Sequence, residues 1–452
     1  MRDPSKKQRW RLTPPRVLVC GFAFIILLGA FLLMLPISNA AGKSLSFIDA
    51  LFTATSAACV TGLVVVDTGT HFTMFGQIVL LMLIQIGGLG FMTMATMFAI
   101  AFRKKISLRE RLILQEAMNQ GTMEGIVRLI RKVIGYALVI EGVAALLFFI
   151  RFSYDMPIGQ AVYYGIFHAI SMFNNAGFDL FGPITGPFSS LTSYVGDPIV
   201  NLVAMFLIIS GGIGFIVLSE LYDYRRIRRL SLHSKVVLST TGFLIVVGAV
   251  VIFIFEFTNT KTMANMPLID KIWASFFQSV SPRTAGANSI NIPDMRQASQ
   301  FFIVILMFIG ASPGSTGGGI KTTTFSILIG AVLAMIRGKE DIVMFNYRLA
   351  KDRIFKAVTL TLLALGLVLS VSMILSTTED QPFLAILFEA TSAFGTVGLS
   401  MGVTPELSTF GKVLISLTMF AGRLGPLTLA YALGPKSERE LYRHPEGKIT
   451  IG

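Results

Sequence analysis

The sequence predicts an all-α integral membrane protein: four parallel M1–pore-helix–M2 repeats, giving eight spans and four re-entrant half-helices, around a pseudo-fourfold central pore. Three observations carry this expectation. The 452 residues are 53% hydrophobic and only 14% charged, against about 25% charged in globular chains, and the apolar residues form long blocks of the kind that cross a bilayer. Lys and Arg gather in the loops between alternate blocks. One short pattern recurs four times, at nearly a quarter of the chain length.

The charges set the topology. Of 38 Lys and Arg, 29 fall in 1–16, 102–132, 222–235, 337–356 and 434–452. The opposite loops hold six basic residues against 12 acids. The positive-inside rule then makes both termini cytoplasmic. Basic runs such as RRIRRL (225–230) join spans without an attached domain, so they read as topology signals and anionic-lipid contacts rather than nucleic-acid surfaces. The first apolar run is too long for a usual signal-peptide core and is expected to be retained.

The repeated segments are FTATSAACVTGL (52–63), FHAISMFNNAGF (167–178), FQSVSPRTAGA (277–287) and FEATSAFGTVGL (388–399). Each starts with Phe, has Ser four residues later and reaches a Gly; these glycines, 62, 177, 286 and 398, are 115, 109 and 112 residues apart. The stretch before each is amphipathic and too short to span, as in a half-helix that enters and turns back. Basic loops between consecutive units make every unit start on the same side. The units are therefore parallel and related by an axis along the membrane normal. The boundaries follow: N-terminus 1–16, repeats 17–101, 125–221, 235–336 and 354–434, and a cytoplasmic tail 435–452.

Irregular backbone at membrane depth persists only where it is buried or lines water. A Gly turn there can aim carbonyls at an axis and replace the hydration shell of a cation, as the TVGYG loops of potassium channels do. Thr396-Val397-Gly398 repeats the first three letters of that string, and Val60-Thr61-Gly62, Asn175-Ala176-Gly177 and Thr284-Ala285-Gly286 hold the matching places. These twelve residues are the expected selectivity filter. Half-helix C-termini facing the pore would add a negative dipole end that favours a cation.

The second spans share GGLG (87–90), GGIG (211–214) and GRLG (422–425), with GASPG (310–314) at the third position. Gly pairs in membrane helices usually mean close packing. The third span departs from this. Gly310, Ala311, Ser312, Pro313, Gly314, Ser315, Thr316, Gly317, Gly318, Gly319 and Lys321 are too rich in Gly, hydroxyls and Pro for an intact helix. They read either as a kink or as a gate loop over 310–321. The run also imitates a nucleotide P-loop but has one residue too many before its Lys, so no nucleotide site is expected on this chain. Arg423 lies at membrane depth, where charge is costly and usually functional; it reads either as a paired arginine or as a fixed positive barrier beside the path. Lys321 is expected to meet carbonyls or acids, Arg283 to brace its turn through a carboxylate such as Glu389 or Asp49, and Glu141 to be a paired buried acid.

Together the four units, the filter glycines, GASPGSTGGGIKT (310–322) and GRLGPLTLA (422–430) resemble the Trk/Ktr/HKT superfamily of potassium transporters, and within it the KtrB-type membrane subunits. The likeness runs over about residues 15–435. It implies the pore subunit of a bacterial Ktr potassium uptake system in the cell membrane, a homodimer with one pore per protomer. It further implies docking on a cytosolic KtrA-type ring that binds ATP or ADP, and it makes 310–321 the gate. K+ is the implied cargo, with Na+ a candidate activator.

No ATP-driven step is needed, since 100 mV is worth about 2.3 kcal/mol per charge. Two other classes compete. A secondary transporter of a small solute or other monovalent cation would use broken helices, most tellingly in inverted repeats. A membrane enzyme would need catalytic side chains clustered at one depth, and the sequence offers none, so no enzymatic activity is expected.

Overall fold

The computed structural model describes residues 13–101, 106–117, 125–426 and 428–429. The expected tail 435–452, and residues 1–12 of the expected N-terminal segment, lie outside them. Each quarter of the chain opens with a long apolar helix: Pro14–Met34, Ile126–Phe152, Leu232–Glu256 and Lys351–Thr378. These four are long and apolar enough to cross a membrane. Phe24, Phe31, Val139, Phe243, Ile254, Leu362 and Met373 on them are each more than half exposed. An apolar surface of that extent suits lipid rather than water.

A short helix follows in each quarter: Phe47–Ala58, Ile158–Phe173, Leu268–Val280 and Phe383–Gly395. At 1.5 Å per residue these reach only ~18–24 Å, less than the ~30 Å hydrocarbon core. The Ser46 hydroxyl accepts the Asp49 N–H at 3.1 Å and starts the first. Pro157, Pro267 and Pro382 precede the other three, where a fixed φ suits helix entry and no donor is wasted. Every short helix packs on the long helix before it.

The closing element of each quarter is broken. Met74–Leu89 is followed by Phe91–Ala101, Pro198–Gly212 by Phe215–Ile227, and Gln297–Ile309 by Thr322–Ile336, while Thr409–Leu424 stops at Gly425. The sequence suggests continuous spans over 77–101, 199–219 and 411–433. The structure interrupts each at the last glycine of its motif, Gly90, Gly214 and Gly425, whose φ values are 85°, 92° and 85°. Positive φ cannot continue a right-handed helix, and the second pair bends by 107°.

The earlier glycines of the same motifs pack as expected. A Cβ on Gly87, Gly211 or Gly422 would strike the carbonyl of Ala58, Phe173 or Phe394, at the end of the short helix in the same quarter. Each first half also packs on the next short helix. Met74–Leu89 meets Ile158–Phe173, Pro198–Gly212 meets Leu268–Val280, Gln297–Ile309 meets Phe383–Gly395, and Thr409–Leu424 returns to Phe47–Ala58. The order closes on itself. Among the described residues one short hairpin, Val343–Met344 with Tyr347–Arg348, accompanies the helices; its turn residues Phe345 and Asn346 have φ of 48° and 67°, the sign tight hairpins require.

Candidate functional site

The four short helices end at the four glycine turns, and the turns touch in a ring. A Cβ placed on Gly62 would run into the carbonyl of Ala176, on Gly177 into that of Ala285, on Gly286 into that of Val397, and on Gly398 into that of Thr61. The contacts pass 1→2→3→4→1, so all twelve expected filter residues are brought together. The glycines have φ of 91°, 69°, 74° and 94°, and the residues two before them, Val60, Asn175, Thr284 and Thr396, have 58°, 60°, 83° and 49°. Thr61, Ala176, Ala285 and Val397, between them, are not in that region. Left-handed β-branched residues are rare and costly, and they cluster at functional sites. Alternating handedness along a chain puts successive carbonyls on one side and N–H groups on the other.

The N–H side is held by the repeated serines. The carbonyls of Ser56, Ser171 and Ser392 accept the N–H of Thr61, Ala176 and Val397 at 2.8, 2.8 and 2.9 Å, and that of Ser281 accepts Ala285 at 2.9 Å. The hydroxyls complete the brace. Ser56 and Ser392 accept the N–H of Gly62 and Gly398, each at 3.0 Å. Ser171 donates to Phe178 O at 2.7 Å, and Ser281 donates to Ala287 O. The carbonyl side has no such partners. Among the described residues, no N–H or O–H donates to any of the twelve carbonyls of Val60–Gly62, Asn175–Gly177, Thr284–Gly286 and Thr396–Gly398. Buried main-chain acceptors are normally paired, and the C-terminal dipole ends of four helices add to the negative potential there.

The segment 310–321 lies directly against these turns and is irregular, as its composition suggests. Ser312 and Thr316 donate their N–H groups to Gly212 O (2.9 Å) and Gly211 O (3.2 Å), and Gly314 O accepts the N–H of Phe215 at 2.9 Å. Gly318 N–H donates to Thr396 Oγ1 at 2.9 Å, and Gly317 has no room for a Cβ beside Thr284. With its amide oriented to satisfy its neighbours, Asn175 accepts from the hydroxyls of Thr284 and Thr316. Within the segment, Gly310 packs on Gly318 and Gly319, Ala311 O accepts Thr322 N–H, and Ser315 Oγ donates to Ser312 O at 2.6 Å.

Arg423 fastens this segment. Its guanidinium donates to the carbonyls of Thr316 and Gly87 and to Gly88 O at 3.1 Å. One side chain thereby joins the fourth quarter to the first and third. Its partners are carbonyls. Lys321 Nζ likewise donates to Gly317 O at 2.7 Å and Gly318 O at 3.3 Å. Both line a cavity of about 280 Å³ that is bounded by the 314–321 segment and by Gly90 and Thr93, and by none of the twelve turn residues.

One expectation about neighbouring charges changes. Among the described residues Arg283 meets no carboxylate: it donates to the Thr241 hydroxyl at 3.1 Å and carbonyl at 3.4 Å. Glu389 accepts instead from Ser400 and Thr404, and Asp49 pairs with Lys412 at 2.7 Å. Glu141 is buried and partnered, its partners being amides: it takes Gln85 Nε2 on both oxygens at 3.2 Å and Asn174 Nδ2 at 3.2 Å. The brace by Ser56, Ser171, Ser281 and Ser392 is a role the sequence reading did not assign, although the constant Phe-to-Ser spacing was its visible signal.

The fold and this ring describe an integral membrane protein of the cation-translocating class. The model of the TrkH family, cation transport proteins, matches residues 21–439, and the chain belongs to that family, among its KtrB-type members. It is 48% identical over 449 residues to the Ktr system potassium uptake protein B of Bacillus subtilis, covering 99% of both chains. It is 40% identical over 454 residues to the potassium/sodium uptake protein NtpJ of Enterococcus hirae, again covering 99% of both. The crystal structure of the potassium transporter TrkH from Vibrio parahaemolyticus superposes with a TM-score of 0.73 at 17% identity, covering 95% of this chain and 86% of that one.

Proposed function

We propose that this chain is the ion-translocating subunit of a potassium uptake system, in which K+ is stripped of water and held by the carbonyls of the four turns. The observation that carries this reading is the set of twelve turn carbonyls, on residues buried apart from the partly exposed Gly177 and Gly398, that accept from no donor among the described residues, on four turns in closed contact. A dehydrated cation is the partner such acceptors suit, and a ring glycine at every position favours the larger alkali ion. The relatives named above as potassium or potassium/sodium uptake proteins agree with that cargo. The competing reading, a secondary transporter of a small solute, would use broken helices and inverted repeats, whereas the loop charges favour parallel units. The eight spans would be the four long helices and the four broken elements, with both termini cytoplasmic by the charge rule. A homodimer working with a cytosolic nucleotide-binding ring of KtrA type fits relatives named as parts of a Ktr system.

The test is potassium-limited growth of an uptake-deficient bacterium expressing the chain with its regulatory partner. Growth should be restored at low K+, and radiolabelled Rb+ uptake should be blocked by K+ far better than by Na+. No rescue, or rescue by a small organic solute instead, would refute the proposal.

In the same reading the segment 310–321 is the gate, and Arg423 both latches it and places a positive charge below the filter. Arg423→Ala removes hydrogen bonds from a charged donor, each worth about 1.5–3 kcal/mol. Uptake by Arg423→Ala should therefore rise on the order of tenfold with the K+/Na+ ratio unchanged. Loss of folded protein from the membrane, with no change in flux per molecule, would leave the arginine a purely structural clamp.

A further inference from the structure

The shared Phe of each short helix is followed by a polar residue that no functional assignment above uses. Thr53, His168, Gln278 and Glu389 follow Phe52, Phe167, Phe277 and Phe388, and all four are buried, with at most 1% of their surface exposed. Three of them reach the chain just beyond their own filter turn. His168 places Nδ1 at 2.7 Å from Tyr164 O, so its proton sits there. Its Nε2 then accepts the N–H of Leu180 at 3.4 Å, three residues past Gly177. Gln278 Nε2 donates to Ile290 O at 3.4 Å, four residues past Gly286. Glu389 accepts from Ser400 Oγ at 2.8 Å and from Thr404 Oγ1, two and six residues past Gly398. Thr53 alone turns back, to Asp49 O at 2.8 Å.

The fourth position differs in kind. It is the only carboxylate of the set, and it accepts from two hydroxyls whose oxygens lie 3.1 Å apart. No Lys or Arg among the described residues pairs with it. An unpaired buried acid is costly, and here both its oxygens are committed to the segment that follows the filter.

We propose that Glu389 is a positioning residue for cation selectivity: a strut behind the fourth turn that keeps the 399–404 segment, and with it the Val397 and Gly398 carbonyls, at the spacing a potassium ion needs. This rests on the filter reading above and deepens it. Discrimination between two ions is a difference of two affinities. A turn whose outer end is slack can close on the smaller ion and lose its preference. The Gln278 and His168 struts act on their own turns in the same way, through single and longer contacts, so the fourth turn depends most on its strut.

The experiment measures Rb+ uptake, K+ KM, maximal rate and Na+ competition in cells expressing the full chain with its partner. The variants are Glu389→Ala, Glu389→Gln and the double variant Ser400→Ala with Thr404→Val. Glu389→Ala should raise KM about tenfold and let Na+ compete, with the maximal rate within about twofold. Glu389→Gln keeps one acceptor oxygen and should fall about midway. The double variant, which removes the hydroxyls and leaves the acid, should reproduce Glu389→Ala, and it decides alone should Glu389→Ala fail to reach the membrane. Variants present in the membrane with unchanged KM and K+/Na+ ratio, or with only the maximal rate lowered, would overturn the proposal. Gly398→Ser is measured alongside. If it leaves selectivity intact, the filter reading has failed; if it changes selectivity and the strut variants do not, only the strut has failed.

Discussion

Replacing Gly398 by Ser is expected to degrade K+ over Na+ selection more than any single change outside the four ring glycines. At φ 94° an L side chain pays ~1–2 kcal/mol for the left-handed region alone. The new Cβ would also press on the carbonyl of Thr61 and the backbone of Gly62, so the disturbance cannot stay within one turn. A change of 1.4 kcal/mol is tenfold in affinity, and the K+ KM should rise by at least about that factor while Na+ becomes a substrate. Gly62, Gly177 and Gly286 should behave alike, because each faces the carbonyl of the next turn in the ring. Uptake kinetics for K+ and Na+ in the four Ser variants provide the check. Four variants with wild-type selectivity would remove the turns from the ion path.

Shortening the 312–318 segment should have the opposite sign, raising flux. The segment is held by main-chain bonds to Gly211, Gly212 and Phe215, by Gly318 N–H on Thr396 and by Arg423 on Thr316. None of these bonds involves the carbonyls of the twelve turn residues. Several bonds of about 1 kcal/mol each are enough to hold a short segment in one place most of the time. Its removal should increase the maximal uptake rate roughly tenfold, leaving the K+/Na+ ratio as it was. Unchanged uptake in a deletion that still folds would mean that these residues are a passive break in the helix. The part of the Arg423→Ala effect that comes from latching the segment should vanish in the deletion background, since its partner Thr316 would be gone.

The two effects separate because the two parts bond to different atoms. The turns are held from behind by Ser56, Ser171, Ser281 and Ser392 through the N–H face and nearby carbonyls. The 310–321 segment touches them chiefly through side chains, Thr284, Thr396 and Asn175. A filter variant should thus alter ion preference, and a segment variant the rate.

Periodicity and composition alone determined the helical membrane class, the four glycine turns and the irregular third segment. These are local consequences of apolar block length, of positive φ at Gly and of a Gly-Pro-hydroxyl run, and they are written within a few residues of where they act. Only the tertiary structure decided which groups far apart in the chain meet: the ring from Gly62 round to Gly398, the clamp from Arg423 to Thr316 and Gly87, and, within the third quarter, Thr241 rather than a carboxylate on Arg283. It also placed the breaks at Gly90, Gly214 and Gly425, where apolar composition had suggested unbroken spans. A hydrogen bond between residues tens to hundreds of positions apart depends on how whole helices pack, and nothing local to either partner encodes it.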